Sequence, residues 1–330
     1  YKAHIKVLPG SKPTALPLRV RAAPEVEALR KHVTKMWSQR LVEPARSAYN
    51  AIPMLIKKPT KEGEEQDYRV VQDYRALNEI IEKDVYPLPN LSANLAQLGK
   101  ANWFTCLDLL AGFHQVCLED ESMSATSFGT PFGQFQYTRM PMGLASSPSA
   151  FMRLVDATLR GLPPGIAVAY VDDVIIPTAG TVDDHLKDVG LVLDRLQNAG
   201  FTVRCDKMHI AMREVPYLGF MVGAYGTRPL ESKVAPIMDM MLADIQADPS
   251  LATRYAGMLA FYSSFIPNLS TLLAPFYALR SKTATSRSEA LTREMKFIAA
   301  FAATKHALCS LTALARPDMS KPFYVDVDAA

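Results

Sequence analysis

Cysteine is scarce and scattered. The four present, Cys106, Cys117, Cys205 and Cys309, form no Cys-x-x-Cys pair, which argues against a zinc site or disulfide framework and for reduced, mostly buried thiols. Long apolar runs are missing too. No stretch approaches the ~18 consecutive apolar residues of a membrane span, so no membrane partner is expected. A charged-then-apolar leader is also lacking, and nothing points to secretion. Neither charge sign is in excess: 36 Lys and Arg stand against 33 Asp and Glu, and a net +3 permits a nucleic-acid partner without requiring one. What remains is ordinary globular composition, 49% hydrophobic and 21% charged, in a 330-residue chain long enough for a main body and an appended lobe. The chain starts at Tyr1 and stops at Asp328-Ala329-Ala330, and it reads as a piece of something longer.

Residues 166–176 organise the rest. Two apolar, β-branched runs flank Asp172-Asp173, the pattern of a strand–turn–strand hairpin. Asp suits turns, so the pair can simply make the corner. Adjacent carboxylates also repel, and both stay ionised cheaply only with a cation between them, which makes the hairpin a candidate metal platform. Asp108 interrupts the apolar strand 103–110, where a charge is costly unless it is paired, caps a turn or binds metal. Three aspartates on adjacent strands form an all-oxygen set suited to Mg²⁺ rather than zinc.

The flanking segments fall into place around this centre. Residues 1–24 are Pro-rich and read as an extended arm. Residues 25–41 carry Val26, Leu29, Val33, Met36 and Trp37 at helical spacing, with Met and Trp expected in the core. Residues 51–58 and 68–71 form hairpin arms bearing Lys58 and Arg69 across a polar turn. These cations are either solvated or, as a point charge beside a planar fork, suited to an anionic ligand. Phe113 is a core residue, or it packs on a sugar beside the metal site and excludes a 2′-hydroxyl. A second hairpin spans 128–137, a loop spans 139–144, and Ser147-Pro148 opens a helix. Thr181 and Asp184 make a capping box before a helix with Leu186, Val189, Leu193 and Leu196 on one face, where His185 is a packed or capping residue. Strands follow at 201–205 and 217–222, giving an α+β layer with helices on one face of an antiparallel sheet. From residue 231 helical stripes take over, then a polar linker at 281–294, a helix at 295–314 and a strand at 322–328.

These residues resemble the reverse transcriptase of gypsy-type LTR retrotransposons and, more distantly, retroviral reverse transcriptases. Tyr170-Val171-Asp172-Asp173 matches the Tyr-x-Asp-Asp box, and Leu107-Asp108-Leu109 with Phe113-His114-Gln115 matches the first catalytic box. The stretch from Arg69-Val70-Val71-Gln72-Asp73 to Leu77-Asn78 resembles the fingers motif, and Tyr217-Leu218-Gly219-Phe220 resembles the primer grip. Tyr262-Ser263-Ser264-Phe265-Ile266-Pro267-Asn268 resembles the signature of the helical segment after the palm. The motifs stand in family order from about residue 5 to 330.

The resemblance implies a right-hand polymerase with fingers, a ferredoxin-like antiparallel palm sheet and a helical thumb. It divides the chain into arm and fingers (1–83), palm (84–116), fingers again (117–147), palm with the Tyr-Val-Asp-Asp hairpin (148–226), thumb (227–280), and a linker with the truncated start of an RNase H-like domain (281–330). It implies that Asp108, Asp172 and Asp173, with the Leu109 carbonyl, hold two Mg²⁺, with Mn²⁺ as a substitute, for transfer of dNTPs to a primer 3′-OH on an RNA or DNA template. Lys58 and Arg69 match the triphosphate pair, Phe113 the gate against ribonucleotides, Leu218 and Gly219 the primer grip, and Lys207 a lysine that protonates pyrophosphate. Asp328 matches the first RNase H carboxylate, but with the rest of that domain absent no RNase H cleavage is expected. An intracellular place, cytoplasmic or within retroelement particles, follows from the same resemblance.

Two positions depart from the pattern. Met142 stands where retroviral enzymes carry Gln and gypsy-type elements usually Phe, so it is the residue expected against the incoming base and sugar. The acidic run 62–67 enlarges a fingertip that is usually short and basic, and negative charge there weakens triphosphate binding unless it points to solvent. These departures keep open an alternative: a catalytically weak or inactive, retroelement-derived nucleic-acid-binding protein. Carboxylates facing a phosphodiester backbone argue against plain binding. A carboxylate glycosidase leaves Lys58 and Arg69 unexplained.

Overall fold

Ile, Leu, Val and Tyr at 52–57 and 68–73 favour extended backbone, and the two segments pair antiparallel from Ile52↔Asp73 to Lys57↔Tyr68. This ladder lies in the first of two compact units of the computed structural model, which describes residues 1–59, 66–87, 90–98, 100–278 and 287–309. The first unit comprises Tyr1–Asn94, Leu107–Ile176 and Leu186–Met208. The second comprises Leu95–Cys106, Pro177–His185 and the described residues from His209 onward.

The core of the first unit joins helices to sheet. Helix Ala23–Ser38, with Pro24 tolerated in its first turn, buries Leu29, Val33 and Met36. Against them lie Phe128, Phe135 and Tyr137 from a sheet ordered Val42–Pro44, Gly133–Tyr137, Phe128–Thr130. Trp37 does not join this core. One residue beyond Met36 it is rotated off the buried stripe, 52% exposed, with its ring edge on Phe135. Helix Ser147–Leu159 adds Phe151 and Val155 to the same cluster. The N-terminal arm is pinned: Lys2–Ala3 pairs parallel with Cys117–Leu118, and the Ile5 amide donates to Ser122 Oγ.

The central hairpin forms from strands Val168–Tyr170 and Asp173–Thr178. Its register, Asp173↔Tyr170 to Ile175↔Val168, leaves only Val171 and Asp172 in the turn. Helix Val182–Asn198 opens on the expected box: the Asp184 amide donates to Thr181 Oγ1 and the Thr181 amide donates to Asp184 Oδ2. Its buried stripe is His185, Val189, Val192 and Leu196, so Leu186, one step round, faces out at 49% exposure. The strand expected at 201–205 does not form. Only Val203 bridges to Leu109, flanked by Leu110 N–H to Thr202 O and Arg204 N–H to Asp108 O, because Leu109 is followed at once by the turn at Ala111.

In the second unit the strand expected across 217–222 is split. Leu218 (φ 49°) and Gly219 (φ 86°) turn Glu214–Tyr217 back onto Phe220–Gly223, which pairs in turn with Gly226–Pro229. His209–Met212 pairs with the strand Trp103–Asp108 through His209↔Cys106 and Met212↔Phe104. His185 is fully buried as a packed residue, bonded to Thr105 Oγ1 and Thr178 Oγ1 at 2.7 and 2.9 Å. Helices Glu231–Met238, Leu242–Ala247, Pro249–Ala260, Leu269–Ala278 and Arg287–Cys309 follow. Tyr255 stacks on Phe276 at 5.1 Å and meets Thr304 Oγ1 at 2.9 Å. The last helix starts at Arg287, inside the segment expected to be a linker, because Glu289, Ala290, Leu291, Arg293 and Glu294 are good helix formers. The strand expected at 322–328 lies outside the described residues. The expectation of mostly buried thiols does not hold: Cys106 and Cys117 are half-buried, and Cys205 and Cys309 are exposed. Among the described residues, no helix is long and apolar enough to cross a membrane.

Candidate active site

A two-residue turn between strands of opposite direction requires left-handed backbone, and here Val171 supplies it at φ 54°. A β-branched residue in that region is strained, and such strain persists only where the surroundings hold it. The Val171 amide is held by Met152 Sδ, and the Asp172 carbonyl accepts from the Leu109 amide at 2.9 Å. The second bond ties the hairpin corner to the end of the strand Trp103–Asp108. Asp172 stands exposed in the turn, Asp173 is half-buried at the start of its strand, and Asp108 is 25% exposed at the end of its own. Leu109, which follows Asp108, is fully buried, backbone included.

The three carboxylates feel one another. Burial, then the negative charges of Asp172 and Asp108, push the Asp173 carboxyl up from 3.8 to about 6, while Lys207 pulls the other way. Lys207 stands at the end of the short 3₁₀ turn Cys205–Lys207, and its Nζ lies 3.6 Å from Asp108 Oδ2. Among the described residues, no three His, Cys, Asp or Glu side chains are gathered into a formed metal cage. The donor chemistry nonetheless fits a hard cation: all-oxygen ligands, one of them a carboxyl that burial and negative neighbours have raised to about 6.

Lys58 follows the strand Ile52–Lys57, and its Nζ sits 2.6 Å from Asp67 Oδ2 on the other arm. This bond, then the Tyr68 amide, holds the Asp67 carboxyl below its usual value. The rest of the acidic fingertip, residues 62–65, lies outside the described residues. Arg69, opposite Ile56, reaches Met142 Sδ at 4.0 Å, so two sequence-selected positions 73 residues apart come together. Phe113 lies in the 3₁₀ turn Gly112–Gln115 and meets the buried Phe151 ring edge-on at 5.7 Å. Phe151 also fixes the turn: a Cβ on Gly112 would come within 2.9 Å of its ring. Asp67 and Phe151 are site neighbours that sequence reasoning missed. Asp67 is masked by a run of acids, and Phe151 by its place in an ordinary helical stripe.

Leu218 and Gly219 belong to the second unit. There the Leu230 amide donates to the Gly219 carbonyl, and the Phe261 ring leaves only contact distance, 3.4 Å, for a Cβ at Gly219. Phe220 stacks between Phe261 and Phe265 at 5.1 and 5.5 Å. Asp328 lies outside the described residues.

Comparison with known proteins gives this arrangement a family. The family model described as reverse transcriptase (RNA-dependent DNA polymerase) matches residues 56–222, a little over half of the chain. The chain is 34% identical over 299 residues to the retrovirus-related Pol polyprotein from transposon 297 of Drosophila melanogaster, covering 90% of this chain and 27% of that protein. It is 31% identical over 306 residues to the corresponding protein from transposon gypsy of the same species, covering 90% of this chain and 29% of the relative. The chain thus spans less than a third of the length of these relatives. A foamy viral protease-reverse transcriptase, solved in complex with an RNA/DNA hybrid, shares the fold with a TM-score of 0.79 at 22% identity, over 94% of this chain and 40% of that one. The fold is accordingly the mixed α+β polymerase fold, and the chain belongs to the reverse transcriptase family.

Proposed function

We propose that this chain is an RNA-directed DNA polymerase of a gypsy-type retroelement, extending a primer on an RNA or DNA template with dNTPs. One observation carries the reading most directly: Asp108, Asp172 and Asp173 lie together within the family-matched span, where burial, then the negative charges of Asp172 and Asp108, raises the Asp173 carboxyl to about 6. Plain nucleic-acid binding gains nothing from such a cluster. Asp108, Asp172 and Asp173, with the Leu109 carbonyl, are the groups that would hold Mg²⁺, or Mn²⁺ in its place. When bound, two such ions supply activation of the primer 3′-OH and neutralisation of the leaving pyrophosphate.

The remaining roles belong to the chain itself. Lys58 and Arg69 bind the triphosphate as point charge and fork. Met142 borders the base and sugar, and Phe113, backed by Phe151, bars a 2′-hydroxyl. Lys207 holds a proton at Nζ for the departing pyrophosphate, and the Leu218-Gly219 backbone grips the primer end. On this reading fingers are 1–83 and 117–147, palm 84–116 and 148–226, and thumb 227–280, with 281–330 leading toward an RNase H-like domain whose first carboxylate is Asp328. The partners are nucleic acid and dNTPs, inside a cell or a retroelement particle.

Primer extension with dNTPs and Mg²⁺ tests the reading: template-dependent products are expected, and Asp172→Asn abolishes them. A second reading, a weak or inactive nucleic-acid-binding descendant, is favoured by the Lys58–Asp67 ion pair, which occupies one of the two cations proposed for the triphosphate. Primer–template binding without extension, in Mg²⁺ and in Mn²⁺, would establish that second reading.

A further inference from the structure

The loop that carries Met142 takes its shape from a side chain far upstream. Asn78 sits in the helix Arg75–Ile80. Its Nδ2 donates to the Gly143 carbonyl at 2.9 Å, and its Oδ1 accepts from the Ala145 amide at 2.9 Å. A carboxamide offers a donor and an acceptor side by side in this way, and an ionised carboxylate does not. The loop is confined on another side as well. Gly143 has φ +97°, and a Cβ there would come within 3.3 Å of the Gln72 carbonyl oxygen. Ser147 Oγ closes its far end by donating to the Pro141 carbonyl at 2.7 Å. Between these restraints Met142 is 38% exposed, with its sulfur facing the Arg69 guanidinium.

We propose that Asn78 is a positioning residue for the incoming nucleotide. By clamping Gly143 and Ala145 it fixes Met142 against Arg69, and so holds the Arg69 fork ready for the triphosphate. The inference rests on the polymerase reading and adds to it a residue that touches neither substrate nor metal. A loop free at Gly143 and Ala145 would sample other conformations, and ordering it would fall to the nucleotide, weakening apparent binding while leaving the bound complex intact.

Primer extension with Asn78→Ala, Asn78→Asp and Met142→Ala tests this, alongside amide exchange of the peptide spanning residues 140–146. Asn78→Ala should raise the dNTP KM about tenfold with kcat within about twofold, the pattern of a lost positioning contact. Asn78→Asp keeps the acceptor for Ala145 but loses the donor to Gly143, and should fall between. In the Met142→Ala background the Asn78→Ala effect should shrink to about twofold or less, because the two act through one element. Exchange at 140–146 should speed up in Asn78→Ala without change elsewhere, a readout independent of turnover. Unchanged KM, additive effects of the two substitutions, or unchanged exchange in an active enzyme would each overturn the clamp. Absence of extension by the unsubstituted protein would instead overturn the polymerase reading, and the nucleotide role with it.

Discussion

Lys58 Nζ lies 2.6 Å from Asp67 Oδ2, across the two arms of one hairpin. Both groups are more than half exposed, so the pair is a weak, salt-screened contact rather than a structural brace. Its consequence is competition: a triphosphate that takes Lys58 must displace Asp67. Asp67→Asn should therefore lower the dNTP KM by about two- to fivefold in low salt, with the gain vanishing near 1 M salt. Steady-state extension at several ionic strengths measures it. A KM that rises in the variant would mean that Asp67 orients Lys58 for the substrate instead of competing with it.

Asp173 makes the opposite kind of trade, in which stability is given up for a charged site. Its carboxyl titrates at about 6 in the folded protein against 3.8 unfolded. The folded state therefore binds the proton more tightly, so this group's contribution is fully present below about 3.8 and is lost as pH rises through about 6. At pH 8 the ionised carboxylate penalises the metal-free fold by about 1–2 kcal/mol, after discounting a roughly two-unit shift for partial exposure. Asp173→Asn should melt roughly 2–6 °C higher than wild type at pH 8, converge with it toward pH 4, and be inactive. Mg²⁺ should raise wild-type melting at pH 8 more than the variant's, and EDTA should reverse the rise. Calorimetry decides: identical melting across this range would remove the penalty assigned to burial and to the neighbouring charges.

How far such features were legible in the sequence depended on whether their cause was local. The hairpin at 166–176 follows from its β-branched runs, and the Thr181–Asp184 cap from a spacing of three residues. Both are decided within a few residues. The split of 217–222 was hidden because Leu218 gives no sign that it will adopt φ 49°, and Gly219 was the only cue. At 201–205 a strand-like composition lost to geometry, since the facing chain turns away at Ala111 after one bridge. The hold of Asn78 on a loop 65 residues downstream had no local signature at all. In the site itself, residue types were legible, but which acid neutralises which base was not. Asp67, nine residues on, faces Lys58, and Asp108, far upstream, faces Lys207.

Phe113 tests whether this packing sets substrate choice. Its ring stands edge-on to Phe151, which in turn meets Phe201 edge-on at 6.0 Å, so the aromatic is backed by a buried stack and has little room to retreat. A gate that cannot yield discriminates by steric clash, and removing the clash should recover what a pocket of this kind can reject, about 10- to 200-fold. Phe113→Val should raise the rNTP/dNTP ratio of kcat/KM by that order while leaving dNTP incorporation within about tenfold of wild type. Phe151→Leu, which leaves the Phe113 ring present but loosens its support, should give a smaller increase in the same ratio. Competitive incorporation of a ribonucleotide and its deoxy counterpart on one template measures both. Discrimination unchanged in Phe113→Val would show that the ring is core and that sugar selection lies elsewhere. A large change in Phe151→Leu with none in Phe113→Val would move the gate to the buried stack.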